Sequence, residues 1–183
     1  MNYGLPTELE FDGQNYKIRN NGDYRMVLDV IAALKDDELT SSERLQVALY
    51  IFYEEYQKII DIETAIDRMM WFLNNGETEK DHDSSEKPIM DWNHDFKLLV
   101  APINKILGVE IRAVPYLHWW TFLSGYMEIG EGTFQTVISI RKKRQKGQKL
   151  ENWEREFYQK NRSTIDLPSN LTEEEKEFLE LDF

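Results

Sequence analysis

The sequence predicts a mainly α protein, a helical domain with a small N-terminal β-hairpin. Apolar residues recur at intervals of three and four along most of the chain, which is the spacing of amphipathic helices. Near the N-terminus, apolar and polar residues instead alternate around an Asp-Gly pair, which is typical of a hairpin. With 183 residues, of which 41% are hydrophobic and 31% charged, the chain has a globular composition and enough length for a core.

Residues 1–76 are predicted to hold the hairpin and three helices. The hairpin strands carry Leu9 with Phe11 and Tyr16 with Ile18, on either side of Asp12-Gly13. We expect the three helices over residues 23–34, 40–56 and 61–73. Their start and stop signals are an N-cap at Asp23, a capping box formed by Thr40 and Glu43, and the closing sequence Asn74-Asn75-Gly76.

Residues 77–88 are polar throughout and are predicted to form a loop. Residues 89–162 are predicted to be a second helical half that packs with the first as one domain, followed by an acidic amphipathic tail, residues 163–183. Within this half we expect a helix from Asp91 to Leu107 with a kink or break at Pro102, one over 116–129 that begins at Pro115, one from Thr133, and an amphipathic stretch over 150–158.

The composition excludes several classes of function. A net charge of −12 argues against nucleic-acid and anionic-membrane partners, because both need clustered cations. The absence of cysteine removes disulfides, thiolate metal sites and cysteine nucleophiles, and favours the cytosol. We see neither a signal-peptide pattern nor an apolar run of about 18 residues. We therefore expect a soluble protein without a cofactor.

The three histidines are the main candidates for chemistry. His82 lies between Asp81 and Asp83 in the polar loop, where a metal site would be poorly preorganised. His94 lies at a helix start, where acidic neighbours are expected from the helix dipole alone. His118 is surrounded by aromatic residues, and without a nucleophile motif it is predicted to be a hydrogen-bonded core histidine. No phosphate-binding glycine motif occurs. We assign no catalytic, cofactor or metal residue.

Candidate partner-binding residues come from three places. Trp119 and Trp120 suit either a binding hot spot or core packing. The basic run 141–149 has six positive charges in nine residues, and it suits a solvated helix end or a partner for the acidic tail better than a nucleic-acid site. The tail suits either a frayed end or an interaction helix. The candidates from the run and the tail are Arg141, Lys142, Lys143, Arg144, Leu171, Phe178 and Leu179.

The order of several segments resembles the bacteriophage Gp-fifteen family of tailed phages and prophages of Gram-positive bacteria. These segments are LPTELEFDGQNYKI at the start, MDWNHDFKLLVAPINKILGVEI after the polar loop, and LHWWTFLSGYMEI before a helix that ends ISIRKKR. The resemblance covers roughly residues 4–160. Its most specific part is Leu117 to Trp120, followed by Phe122 and by the later pair Ile140-Arg141.

This resemblance implies a tail assembly chaperone of a siphophage, and not an enzyme. Such a protein would bind the tape measure protein and help recruit the tail tube protein in the cytoplasm of the bacterial host, without being retained in the virion. A homo-oligomer along the client is compatible with this role. Acidity and methionines such as Met69, Met70 and Met127 suit that role, although methionine also fills cores. The alternatives are a structural tail or head–tail connector component and, as a third class, an enzyme that uses His118.

Overall fold

The computed structural model describes residues 4–77 and 88–168, and it confirms a mainly α fold with an N-terminal hairpin. Short 3₁₀ turns lie at Arg19–Gly22 and Tyr56–Lys58. The strands and α-helices, in chain order, are β1 (Glu8–Phe11), β2 (Gln14–Lys17), α1 (Tyr24–Lys35), α2 (Ser41–Phe52), α3 (Ile62–Leu73), α4 (Trp92–Leu107), α5 (Trp119–Met127), α6 (Thr133–Gln145), α7 (Asn152–Lys160) and α8 (Arg162–Ile165).

The predicted hairpin is confirmed. Strands β1 and β2 are antiparallel, with Leu9 opposite Tyr16. The turn residues Asp12 and Gly13 have φ values of 53° and 68°, and a two-residue hairpin turn with two positive φ angles matches the right-handed twist of the strands. Leu9 and Tyr16 are buried, and the glutamates on either side of Leu9 are exposed, as the period of two requires.

Helices α1 and α2 begin at the predicted caps, and α3 begins where predicted, next to Asp61. The side chain of Asp23 accepts a hydrogen bond from the Arg25 N–H at the start of α1, and Thr40 and Glu43 form the capping box of α2. The predicted extension of α2 to Tyr56 is wrong. The helix ends at Phe52 because Tyr53 has extended backbone angles and pairs with Ile18 beside the hairpin.

Helix α4 confirms the predicted cap at Asp91 and the stop at Gly108, which has a φ of 70°. Of the kink or break predicted at Pro102, a break does not occur, because one helix continues through the proline. Leu99 and Ile103 are fully buried on either side of the proline, so the packed face supports the helix where the proline removes a backbone hydrogen bond.

The start of α5 also differs from the prediction. Residues 115–118 are not helical, and the helix begins at Trp119 and ends at Met127. Two hydrogen bonds hold this segment in an extended form: the Tyr24 N–H donates to Leu117 O at 2.9 Å, and the Leu117 N–H donates to Asp23 Oδ2 at 2.9 Å. The pairing of this segment with the start of α1 replaces the first helical turn that Pro115 favours.

The chain divides into two compact units. The first contains the hairpin, α1–α3, and residues 109–127 with α5. Its core is rich in aromatic side chains, including stacked Tyr24 and Phe122 with ring centroids 4.6 Å apart. The second unit contains α4 and α6–α8, and its core includes Val137, Ile140 and Ile165.

Three predictions about chain organisation have no structural test. That the two halves pack as a single domain stays a prediction. The loop prediction falls largely on residues 78–87, and the tail prediction on 169–183, and both ranges lie outside the described residues.

Candidate protein-binding surfaces

The two tryptophans of the LHWW segment have different environments. Trp119 is buried, its ring stacks on Phe122, and its indole N–H donates to Leu73 O at 2.9 Å. Trp120 is half-buried, its indole N–H donates to Phe72 O at 2.9 Å, and its ring meets Trp71 edge to face. Trp119 is therefore a core residue. Trp120 keeps part of its surface accessible, and partner binding through it stays a prediction.

His118 is the core histidine that the sequence predicts. Its Nε2 lies 3.0 Å from Pro6 O, and the Trp120 N–H donates to its Nδ1 at 3.1 Å. A carbonyl only accepts and an N–H only donates, so the ring is neutral with its proton on Nε2. Burial lowers the pKa of His118, and the bond to Pro6 offsets this only partly. Neither bond is to a carboxylate that would orient the ring as a general base.

An ion pair that the sequence does not reveal fixes the LHWW segment onto α1. Asp23 is buried and binds the Leu117 N–H, and it also pairs with Arg25 at 3.0 Å. The Arg25 guanidinium group donates further to Ile111 O and Val114 O. The sequence shows the cap role of Asp23 and the closeness of Arg25, but not the contacts of this ion pair with residues 111–117, which lie more than 80 positions away along the chain.

Three cations of the basic run form ion pairs within the second unit. Arg141 is buried and forms a two-bond ion pair with Asp95, at 2.7 and 2.8 Å. Lys143 binds the buried Glu154, and this hydrogen bond lowers the pKa of Glu154. Arg144 pairs with Asp166 and lies over the Tyr158 ring. Lys142 is exposed.

The prediction of a solvated helix end is therefore wrong for Arg141. This residue follows Val137 and Ile138 by four and three positions, so it lies on the apolar stripe of α6 that faces the core. This position on the apolar stripe is the sequence signal from which the burial of Arg141 could have been predicted. Asp95 lies in the same way between apolar residues of α4, and it is fully buried.

The other histidine predictions have separate outcomes. His94 has a structural role, because its N–H is bound by the Asp91 cap and its Nε2 lies 3.1 Å from Thr164 O. His82 lies outside the described residues, as do Leu171, Phe178 and Leu179. Within residues 4–77 and 88–168, no three His, Asp or Glu side chains are grouped as a metal site would require. Among the helices of those residues, none is long and apolar enough to cross a membrane.

A groove runs along the hairpin of the first unit. It has a volume of about 500 Å³ and follows β1 on one side and α3 on the other. Its walls are formed by Pro6, Glu8, Leu9, Glu10, Phe11, Gly13, Arg68 and Trp71. Trp71 is half-buried and continues into the Trp71–Trp120 contact.

Large apolar side chains are also exposed outside this groove. In the first unit, Tyr50 is 56% exposed and Ile60 is 88% exposed, and in the second unit Trp153 is 58% exposed. Side chains of this size contribute strongly to protein–protein contacts when a partner covers them. They were not singled out as site residues in the sequence, because an amphipathic pattern alone does not show which apolar positions remain uncovered.

The described residues form a mainly α fold in which several charges are paired internally and some large apolar side chains are exposed. The family follows from sequence comparison: residues 1–167 match the model of the family described as Bacteriophage Gp15 protein, and the chain belongs to that family. Membership makes this a bacteriophage protein of the structural or assembly type. No curated protein and no solved structure matches the chain.

Proposed function

We propose that this protein is a tail assembly chaperone that binds the tape measure protein and assists tail tube assembly without remaining in the virion. The observation that carries the proposal is the family match over residues 1–167, which includes both units of the described structure. The chaperone acts in the cytoplasm of the bacterial host, where the tail is built, and a second copy of the chain is a further partner that this role accommodates.

The surface chemistry supports a transient binding role. Exposed residues such as Tyr50 and Ile60 offer apolar contacts to a long helical client. A net charge of −12 limits non-specific aggregation of a protein with such residues, because like-charged molecules repel one another. The same charge attracts positively charged segments of a client and increases the rate of encounter.

Co-expression tests the proposal. The tape measure protein of the same genome is produced alone and together with this chain, and its soluble fraction is measured along with its co-purification on a tag carried by this chain. We expect the tape measure protein to be insoluble alone and to co-purify as a soluble complex. An unrelated acidic protein of similar size is the control for an effect of charge alone. No gain in solubility together with no complex would reject the proposal.

A further inference from the structure

The outer edge of β1 presents backbone hydrogen-bonding groups to the groove. In an antiparallel pair, the residues of a strand point their N–H and C=O groups alternately toward and away from the partner strand. The Ile18 N–H donates to Thr7 O at 2.9 Å, so Thr7 points toward β2. Its neighbour Glu8 and, two residues on, Glu10 therefore point away from β2.

The opposite edge of the hairpin supports the same alternation. Lys17 lies opposite Glu8, and its C=O accepts a hydrogen bond from the Glu54 N–H at 3.1 Å, on the side away from β1. One edge of this small sheet is thus continued by residues 53 and 54. The edge formed by β1 borders the groove along four consecutive residues.

The side chains around this edge differ in character between its two faces. Glu8 and Glu10 are exposed on the outer face of β1, whereas Leu9 and Phe11 lie on the inner face. Helix α3 contributes the half-buried Trp71 and the exposed Arg68 to the groove. A strand laid along β1 would therefore have carboxylates beside its outer side chains and apolar or aromatic surface beside its inner ones.

The charges decide between candidate occupants. A second copy of the hairpin would bring Glu8 and Glu10 next to their own equivalents, and like charges on neighbouring strands are destabilising. Lysine or arginine beside Glu8 and Glu10 forms favourable cross-strand pairs instead. Because Arg68 stands on the α3 wall, a cation among the inner side chains of the added strand would be repelled, so the positive charges belong on the outer face.

We propose that the edge of β1 binds an extended segment of another protein in which lysine or arginine alternates with apolar residues, as an added third strand. Backbone bonds to Glu8 and Glu10 supply affinity, and the alternate side chains supply specificity. The proposal stands without the proposed chaperone function, because it depends only on the geometry and charge of the groove.

Fluorescence anisotropy of a labelled peptide tests the proposal on the full chain. The probe is a short peptide of alternating lysine and valine. We expect saturable binding that is lost with a glutamate–valine peptide, and lost as well when the amides of the lysine–valine peptide that would face β1 are N-methylated. Binding of the N-methylated peptide at unchanged affinity would overturn strand addition, because that peptide keeps its charge and loses only its backbone donors. No binding at about 1 mM protein would also overturn it.

Variants of the protein separate charge from backbone pairing. The double substitution Glu8→Lys and Glu10→Lys should weaken binding about tenfold or more, because two attractive pairs become repulsive. Its matched control is Glu128→Lys with Glu131→Lys, which makes the same change at exposed positions of the second unit and should leave binding unchanged. Equal weakening of peptide binding by the two double variants would show that only the net charge of the protein matters, and it would overturn the proposal.

Proline at position 10 tests the backbone contact directly. The Glu10 N–H points away from β2, so Glu10→Pro removes a donor at the outer edge and spares the hairpin ladder. We expect it to weaken binding more than Glu10→Gln does, with circular dichroism and thermal unfolding confirming that both variants fold. Equal affinities of the two folded variants would contradict the proposal. A dimer of the unmodified chain that Glu10→Pro abolishes would also overturn it, in favour of a second copy as the occupant.

Discussion

The guanidinium group of Arg141 is enclosed by four acceptor groups. Besides the Asp95 carboxylate, it donates to the carbonyls of Ile89, Thr164 and Ile165. Replacement by methionine keeps much of the volume and leaves the Asp95 charge buried without its cation. We expect Arg141→Met to lower the free energy of unfolding by about 3–5 kcal/mol, measured by urea denaturation.

The neighbouring lysine provides the control for this loss. Lys142 is exposed on the same helix, so Lys142→Met should change the unfolding free energy by no more than about 0.5 kcal/mol. Adding Asp95→Leu to Arg141→Met removes the buried charge itself and should recover part of the lost stability. Equal stabilities of the two single variants would contradict the assigned role of Arg141.

His118 makes the stability of the protein sensitive to mild acid. Burial lowers its pKa in the folded state below the ordinary value of 6.5, so below that pH the unfolded chain binds the proton more readily. The unfolding free energy should therefore fall as the pH decreases through 6.5 and stop changing from this source once the folded-state pKa is passed. Urea denaturation between about pH 8 and pH 5 measures this slope.

Asparagine at position 118 tests whether His118 is the group that causes the pH dependence. Its side-chain oxygen can still accept from the Trp120 N–H and so can still cap α5, but it has no group that titrates in this range. We expect His118→Asn to be less stable at neutral pH and to show a reduced slope between pH 7 and 5. A slope unchanged in His118→Asn would exclude His118 as its source.

At the scale of elements, the turn before α1 depends on glycine. Gly22 has a φ of 76°, and a Cβ atom added there would lie 2.7 Å from Cζ of Phe72 and 3.2 Å from Nε2 of His118. Gly13 has a similar φ of 68° with nothing within 4 Å of such an atom. Gly22→Ala should therefore lower the free energy of unfolding clearly more than Gly13→Ala, for which we expect only the backbone cost of about 1–2 kcal/mol.

Thermal and urea denaturation of the two alanine variants check this comparison. Both substitutions place a side chain on a left-handed backbone, so the difference between them isolates the collision with the Phe72 ring. Equal losses would mean that the packed ring moves aside at no cost, in contradiction to the close packing around Gly22.

The helices that the sequence predicts well are those whose signals are local. Thr40 and Glu43 are three residues apart, and the Asp23 side chain binds the Arg25 N–H two residues on, so these cap patterns identify the starts of α2 and α1. The same holds for the hairpin, where Asp12-Gly13 determines the turn and hence the strand register.

The structure differs from the prediction where contacts with residues distant in sequence determine the local conformation. Pro115 is a suitable first helical residue, but the hydrogen bonds of Leu117 to Asp23 and Tyr24 hold the chain extended until Trp119. The ion pair of Arg141 with Asp95 spans 46 positions, and no short pattern predicts it. Of the candidate binding residues, buried Trp119 and partly accessible Trp120 each match one of the two predicted alternatives. The burial of Arg141 has a local signal in the apolar stripe of α6, although its partner Asp95 does not.

At the scale of the whole molecule, charge and exposed apolar surface act together. The chain has a net charge of −12, and cations such as Lys143 and Arg144 are paired with carboxylates within the second unit. Binding of a positively charged client should consequently weaken as salt screens the acidic surface, whereas contacts through Tyr50 or Ile60 should not.

The composition of the finished phage particle separates a chaperone from a structural component. A protein that only assists assembly leaves the tail once the tube is complete, so we expect this chain to be present in lysates of producing cells and absent from purified virions. Quantitative mass spectrometry measures it relative to the major tail protein in both samples. The same ratio in lysate and virion would instead favour a tail or head–tail connector subunit, because a structural subunit stays in the particle at a fixed stoichiometry. The tail tube protein, which must be retained, is the internal control for recovery of intact particles.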